Sequence, residues 1–457
     1  MKFASTLLFA ALLPGCAHME KERGHDSVSQ LVESRSGHRT GWERGTPEAR
    51  QIQERVSSLL KGGLNRERAV QIALINNPHL QETYDELDVS QADLVQAGLL
   101  SNPTLSGSIG FPLGHGSSRP EYEVSIVQSF LDIFMLPLRK RVAEAQFNAE
   151  TLRVAHAALQ VAAEVSKEFV ELQTGEQTVE LMRRIAESAD AAASLAEKQF
   201  EAGNINQREV ASERAASAQA ELDLAHDQFT VLEHRERLNR LLGLWGVNSG
   251  WKSAQSLQAI PPTEAPLEHL EVTALKQRLD VQAARKQVEL MDSALGMART
   301  SRYTGLVDVG VHMHQDADGP KLLGPTLSLE LPIFDQRQAL IGRLEAQRRQ
   351  AQRRLDALGL DVRSEVRLAK ARLDLSRHSA EQYLNALLPL RRTVLEQSEL
   401  EYNAMQIGLY ELLATKKSEI ETFRAYLNTV RDYWIAHAEL ERALGGRVTT
   451  ARTASSP

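Results

Sequence analysis

Apolar side chains recur at helical spacing along one long stretch of the chain, residues 138–202. Leu152, Ala155 and Leu159, for example, follow one another at intervals of three and four residues. The stretch contains no proline and one glycine, and an unbroken helix of about 65 residues would be roughly 95–100 Å long. Because charged residues occupy its other faces, it is unsuited to lipid. The pattern therefore predicts a long helix in a coiled coil with neighbours of similar length.

A second segment of the same kind covers residues 336–404, and each long segment is followed by a turn and a returning helix. Pro389 lies inside the second segment, where it should kink the helix or break it in two. The two turns align at a constant offset of about 202 residues. The aligned pairs are Phe200 with Tyr402, Ile205 with Ile407, and Glu209 with Glu411.

Four short stretches alternate between apolar and polar residues: 104–111, 122–130, 307–314 and 325–331. Alternation over about 8–10 residues is typical of a transmembrane barrel strand. Pro137 follows the second stretch and is expected to begin the first long helix. The pattern thus predicts that the chain repeats one plan twice, in the order helix, strand, strand, long helix, turn, helix.

These patterns divide the chain into six segments. Residues 17–63 are polar with little periodicity, and residues 247–266 contain a pair of prolines. The predicted organisation is a signal peptide (1–16), an N-terminal tether (17–63), a first repeat (64–246), a linker (247–266), a second repeat (267–446) and a disordered tail (447–457).

The N-terminus has the features of a bacterial lipoprotein signal. Lys2 precedes an apolar run that ends in Leu13-Pro14-Gly15-Cys16, and Cys16 is the only cysteine. The sequence around Cys16 resembles a lipobox, which implies acylation of that cysteine, and Ala17 in place of aspartate implies an outer-membrane address. An inert cysteine in a cleaved signal is the alternative. A single cysteine also excludes internal disulfides and a thiolate zinc site.

The net charge and the absence of known motifs exclude several classes of function. The net charge of −7 gives no basic footprint for nucleic acid. The sequence contains no nucleotide-binding loop, no zinc-protease motif and no hydrolase elbow. We therefore expect neither an enzyme nor a bound cofactor.

Four strands cannot close a barrel in lipid, because an open sheet edge is not tolerated in hydrocarbon and the smallest barrels have about eight strands. The chain is therefore expected to oligomerise. Three copies supply twelve strands. With four long helices in each copy, they also supply twelve helices for a tube. Cyclic symmetry closes such an assembly.

Over residues 64–446, the sequence resembles the TolC-type outer-membrane efflux proteins. The phrases that carry the resemblance are Asn77-Pro78-His79-Leu80, residues 97–103, residues 200–204, residues 237–243, residues 331–335 and residues 402–413. The lipobox and the Asn-Pro phrase resemble the heavy-metal exporters of that family, the CzcC and CusC kind.

The resemblance implies a mainly α-helical fold with a membrane β-barrel. The homotrimer would form a twelve-stranded barrel in outer-membrane lipid and a long coiled-coil tunnel across the periplasm. It would serve as the passive exit duct of a tripartite efflux system, with a periplasmic adaptor (membrane fusion) protein and an inner-membrane RND-type pump. The cargo would be heavy-metal cations.

The same resemblance implies roles for residues at the two turns. Glu411 and Glu209 match acidic residues that constrict the periplasmic entrance. Gly203, Asn204, Gly408 and Leu409 are candidate adaptor contacts, although simple helix reversal also explains them. Met405 departs from the family, since it stands where the turn glycine is expected, and Gly408 is the expected substitute.

A metal site at His312 and His314, with Asp316 and Asp318 nearby, is a weaker hypothesis. Histidines two residues apart share one face of a strand, but polar residues are expected there on any barrel lumen. We therefore predict no metal ligands.

Two alternative functions stay open from the sequence. The same duct could carry drugs or type I secreted polypeptides. From a different class, the chain could be a periplasmic coiled-coil scaffold or adaptor lipoprotein without a barrel, although an adaptor has no use for lipid-facing strands.

Overall fold

The computed structural model describes residues 23–111, 120–254, 256–262, 269–303, 305, 307–315 and 319–447. Cys16 and the predicted signal peptide lie outside the described residues, as do Asp316, Asp318 and the predicted tail beyond residue 447. Within the described ranges, every helix is too short or too polar to cross a membrane.

The described first half of the chain contains six helices and two strands. They are α1 (Arg23–Ser36), α2 (Thr46–Leu60), α3 (Arg66–Asn76), α4 (Pro78–Ala97), β1 (Thr104–Gly110), β2 (Glu121–Ser129), α5 (Leu131–Glu201) and α6 (Gln207–Leu242). A 3₁₀ turn, Gly246–Ser249, follows α6. Helix α5 alone has 71 residues.

The second half repeats the order of the first half from α3 onwards. Its elements are α7 (Leu270–Gln277), α8 (Leu279–Thr300), β3 (Val307–Gln315), β4 (Lys321–Leu329), α9 (Gln338–Gln382), α10 (Leu388–Asn403) and α11 (Leu409–Leu444). The pair α7–α8 corresponds to α3–α4, the segment α9–α10 to α5, and α11 to α6. The two predicted internal repeats are therefore confirmed.

Two boundaries differ from the sequence-based expectation. Helix α5 begins at Leu131, so Pro137 lies inside it rather than at its start. A proline in the second turn removes only one backbone hydrogen bond, which the rest of a 71-residue helix outweighs. The predicted tether contains α1 and α2, which bury Val28, Val32, Ile52 and Val56. Val28 and Val32 are four residues apart, and so are Ile52 and Val56. This helical spacing is present in the sequence, but it was not recognised in a segment that is otherwise polar.

Pro389 breaks the second long segment, as predicted. Residues Tyr383–Leu387 form one turn of π-helix, and α10 begins at Leu388 with Pro389 in its first turn. The Leu388 amide donates to the Tyr383 carbonyl, five residues back, so the helix stays hydrogen-bonded up to the proline. The wider turn before it accommodates the proline ring without ending the helical path.

The four strands form one antiparallel sheet in the order β1-β2-β3-β4. The register pairs Gly107 with Val124 and Ser125 with His312. It also pairs Val309 with Leu327. The central β2–β3 pair joins the first repeat to the second, so neither repeat forms its share of the sheet alone.

The chain divides into two compact units. The first contains the sheet and the helical segments beside it, Asp85–Arg153 and Asp280–Ala357, together with the chain up to Ser27. The second contains Val28–Tyr84, Val154–Leu279 and the chain from Leu358 onwards. Fully buried aromatic side chains mark the core of the second unit: Tyr84, Phe169 and Tyr433.

Within the second unit, the segment Asn76-Asn77-Pro78 connects the beginning of the first repeat to its end. The side-chain amide of Asn76 donates to the carbonyls of Leu242 and Gly243, at 2.8 and 3.0 Å. That of Asn77 donates to the carbonyl of Leu241 at 2.7 Å. These bonds satisfy carbonyls that the end of α6 would otherwise leave without a partner. The segment therefore acts as a cap for a distant helix.

In the second repeat, Arg278 occupies the position of Asn77. Its side chain is only 4% exposed, and its guanidinium lies 2.6 Å from Glu365. It also donates to the carbonyl of Ala443, near the end of α11. A buried arginine without such a partner would cost several kcal/mol. Sequence analysis missed this residue because an arginine between two helices is normally exposed.

Candidate functional site

One face of the sheet is apolar and open. Leu105, Ile109, Val124, Ile126, Val309, Val311, Leu323, Leu327 and Leu329 are all exposed, and the register places them on the same side. Leu327, in β4, is 70% exposed. Exposed apolar patches of this extent mark an interaction surface or a lipid contact.

The other face of the sheet is polar. The register aligns Ser125 with His312, and Glu123 with His314. The ring Nδ1 of His312 lies 2.9 Å from the Thr326 hydroxyl, so this histidine has a neutral partner within the sheet. Among the described residues, no group of three or more His, Cys, Asp or Glu side chains is arranged to hold a metal ion. The polar face therefore has the character of a water-lined surface.

The first helical turn closes with a left-handed glycine. Gly203 has φ +76°, and its amide donates to the Phe200 carbonyl at 2.8 Å. The next amide, of Asn204, reaches back to the Gln199 carbonyl at 2.8 Å. This pattern is the Schellman motif, which ends a helix at a residue with positive φ.

The second turn has the same hydrogen bonds without the glycine. The amide of Met405 donates to the Tyr402 carbonyl at 2.9 Å, and that of Gln406 to the Glu401 carbonyl at 2.8 Å. Met405 itself has φ +59°. The expectation that Gly408 replaces the turn glycine is wrong, because Gly408 is extended and stands at the start of α11. The Schellman bonds determine the turn and hold Met405 in an unfavourable conformation that costs about 1–2 kcal/mol.

The two acidic residues at the turns have different surroundings. Glu209 takes part in a reciprocal cap: its amide donates to the side chain of Asn206 at 3.1 Å, and its carboxylate accepts from that side chain at 2.9 Å. Glu411 holds the same position in α11, but the capping residue there is Gly408, which has no side chain. Glu411 is exposed, and no described residue forms a side-chain hydrogen bond or ion pair with its carboxylate. Among the described residues, the carboxylate of Glu209 is therefore held by its own cap, whereas that of Glu411 is not.

The structure also brings the two turns together. The hydroxyl of Tyr410, next to Leu409 at the start of α11, donates to the side chain of Gln199 near the end of α5, at 3.0 Å. Burial raises the pKa of Tyr410, and the negative charges of Glu213 and Glu209 raise it further. Tyr410 thus remains a hydrogen-bond donor. Sequence analysis did not identify it, because its partner lies 211 residues away.

Comparison with known proteins gives matches for most of the chain. Residues 69–244 match the family described as outer membrane efflux protein. The cobalt-zinc-cadmium resistance protein CzcC of Cupriavidus metallidurans is 25% identical over 396 residues, which cover 84% of this chain and 90% of CzcC.

Solved structures show the same fold. A structure of CusC has a TM-score of 0.69 at 18% identity and covers 86% of this chain and 92% of that one. The CmeC outer membrane channel of Campylobacter jejuni has a TM-score of 0.71 at 16% identity, with 89% of each chain covered.

Proposed function

We propose that this chain, which belongs to the outer membrane efflux protein family, forms a passive exit duct for heavy-metal cations. It is an outer-membrane efflux channel of the CzcC and CusC type, and channels of this family are not enzymes. The observation that carries the proposal is a sheet with one exposed apolar face, attached to helices of channel length. This combination supports a channel rather than a coiled-coil adaptor.

The duct is a homotrimer in this proposal. Among the described strands, β1 pairs only with β2, and β4 pairs only with β3. These two edges need partners in lipid, and the edges of two further copies supply them in a closed twelve-stranded barrel. Exposed apolar residues on the long helices support the same assembly: Leu222 and Phe229 on α6, and Leu360, Leu368 and Leu375 on α9.

Cations are the proposed cargo for two reasons. CzcC, as its name states, is a cobalt-zinc-cadmium resistance protein. In addition, the polar face of the sheet carries Glu121, Glu123 and Asp308, which favour positive ions if this face lines the lumen. The transport energy would come from an RND-type pump, reached through an adaptor that contacts Gly203, Asn204, Gly408 and Leu409. Acylation of Cys16 would add a lipid anchor.

Metal accumulation tests the proposed function. A Gram-negative host that carries the pump and adaptor but lacks this chain should accumulate zinc or cobalt, and the full-length chain should reverse this. The chain should also be recovered from the outer membrane as a detergent-stable trimer, even as a Cys16→Ala variant. A monomer in the soluble fraction would contradict the channel. A functional trimer that lowers drug or polypeptide retention but not metal would change the cargo.

Glu411→Gln is expected to reduce the cation selectivity of the channel. Three free carboxylates around a threefold axis concentrate cations, so their loss should lower the cation-to-anion permeability ratio roughly tenfold. The measurement is the reversal potential in a planar bilayer under a potassium chloride gradient. Glu209→Gln is the matched control, since the glutamine can still accept the bond from Asn206. Equal effects of the two variants would assign the selectivity elsewhere.

A further inference from the structure

A small cavity lies in the second unit, where the end of α1, the start of α3, the middle of α5 and the end of α11 meet. Its volume is about 110 Å³. Four arginines line it: Arg35, Arg66, Arg442 and Arg447. The lining contains two carboxylates, Glu67 and Glu441. Arg442 also lies 3.9 Å from Glu365, which does not line the cavity. Four guanidinium groups against three carboxylates still leave a net positive charge around an open space.

The carboxylate of Glu67 has two partners in the cavity lining. Oε2 of Glu67 lies 2.9 Å from the ring Nε2 of His38 and 2.8 Å from Nη2 of Arg447. The hydrogen bond with His38 and the positive charge of Arg447 overcome the effect of burial and lower the pKa of Glu67 to about 2. Glu67 therefore stays ionised and balances the charge of Arg447.

Arg35, in contrast, has no carboxylate in the described part of the chain that balances its positive charge. Its Nη1 donates to the Leu31 carbonyl at 3.2 Å, and its Nη2 donates to the Gln277 carbonyl at 3.4 Å. No carboxylate of a described residue lies within ion-pair distance of its guanidinium, and its buried Nε has no hydrogen-bond partner among them. Burial of the charged guanidinium lowers the pKa of Arg35. A partly buried charge of this kind is stabilised by a counter-ion.

We propose that this cavity binds one phosphate group, with Arg35 as its main ligand and Arg442 and Arg447 beside it. Arginine suits this role, because its planar fork of donors matches the oxygens of a phosphate. The cavity volume is sufficient for a tetrahedral anion. The amide of Arg447 also donates to the Arg35 carbonyl at 2.9 Å. A bound phosphate would thus strengthen the link between α1 and the end of the chain.

Titration calorimetry with inorganic phosphate tests this proposal on the full-length, detergent-extracted protein. We expect saturable binding that sodium chloride at equal ionic strength does not reproduce, and at least about tenfold weaker binding in Arg35→Gln. Arg39→Gln is the matched control. Arg39 follows the same helix, but it is exposed, pairs with Glu33 and does not line the cavity. Non-saturable binding, or equal losses in the two variants, would overturn the proposal.

A second variant separates lost binding from lost folding. Ala163→Glu places a carboxylate on the cavity wall, where it should replace the anion. We expect this variant to lose phosphate binding while its melting temperature in phosphate-free buffer stays equal to or above that of the natural protein. Glycerol phosphate should bind if the cavity accepts a phosphate at the end of a larger molecule, and should fail if only the free ion fits. Unchanged phosphate binding in Ala163→Glu would place the anion elsewhere.

Discussion

Leu327→Arg is expected to abolish assembly of the protein in the outer membrane. Leu327 lies in β4, two residues before its end, opposite Val309, on the exposed apolar face of the sheet. An arginine on the lipid face of a barrel costs between about 1 and 4 kcal/mol, depending on its depth, and a trimer carries the substitution three times. The measurement is the amount of detergent-stable trimer in the membrane fraction.

Ser328→Arg is the matched control for that variant. Ser328 is the next residue of the same strand, is also exposed, and points to the polar face. The same side chain there should leave the trimer in the membrane and change only its conductance, because the polar face contacts water in the proposed barrel. If both variants assemble equally well, the apolar face does not contact lipid and the proposed barrel is wrong.

Gly243→Ala is expected to destabilise the second unit by about 3–5 kcal/mol. Gly243 has φ +65° at the end of α6. A Cβ atom there would overlap the Asn76 carbonyl oxygen and lie 2.9 Å from the Asn76 side-chain nitrogen and 3.1 Å from Pro78. Relief of the overlap requires the end of α3 to move, which breaks the bonds from Asn76 to the Leu242 and Gly243 carbonyls.

Gly203→Ala separates the overlap from backbone strain. Gly203 also has positive φ, at +76°, but a Cβ atom there would meet nothing within 4 Å. Its cost should therefore be the conformational strain alone, about 1–2 kcal/mol. Thermal unfolding of the detergent-extracted proteins compares the two variants. Equal losses of stability would mean that the contact with Asn76 contributes little.

Local periodicity accounts for the part of the fold that was predicted from the sequence. The spacing of Leu152, Ala155 and Leu159 is a property of one short segment, and so is the alternation in β1 to β4. Such patterns predicted the long helices, the four strands and the repeat. They failed for α1 and α2, where a few apolar residues in a polar segment suffice for burial. At the turns, the sequence identified Glu209 and Glu411. It did not show which of the two carboxylates is held by a hydrogen bond.

The sequence by itself determined most of the elements, their order and the resemblance to a family, because each rests on residues close together in the chain. Only the tertiary structure decided how these elements meet. Asn77 bonds to a carbonyl 164 residues away, and Arg278 is buried against Glu365. Met405 takes a glycine conformation, and Arg35 lines a cavity without a carboxylate partner. In each case the surroundings of a side chain depend on distant segments, so the same residue type can be a cap, a counter-charge or a ligand according to what packing places beside it.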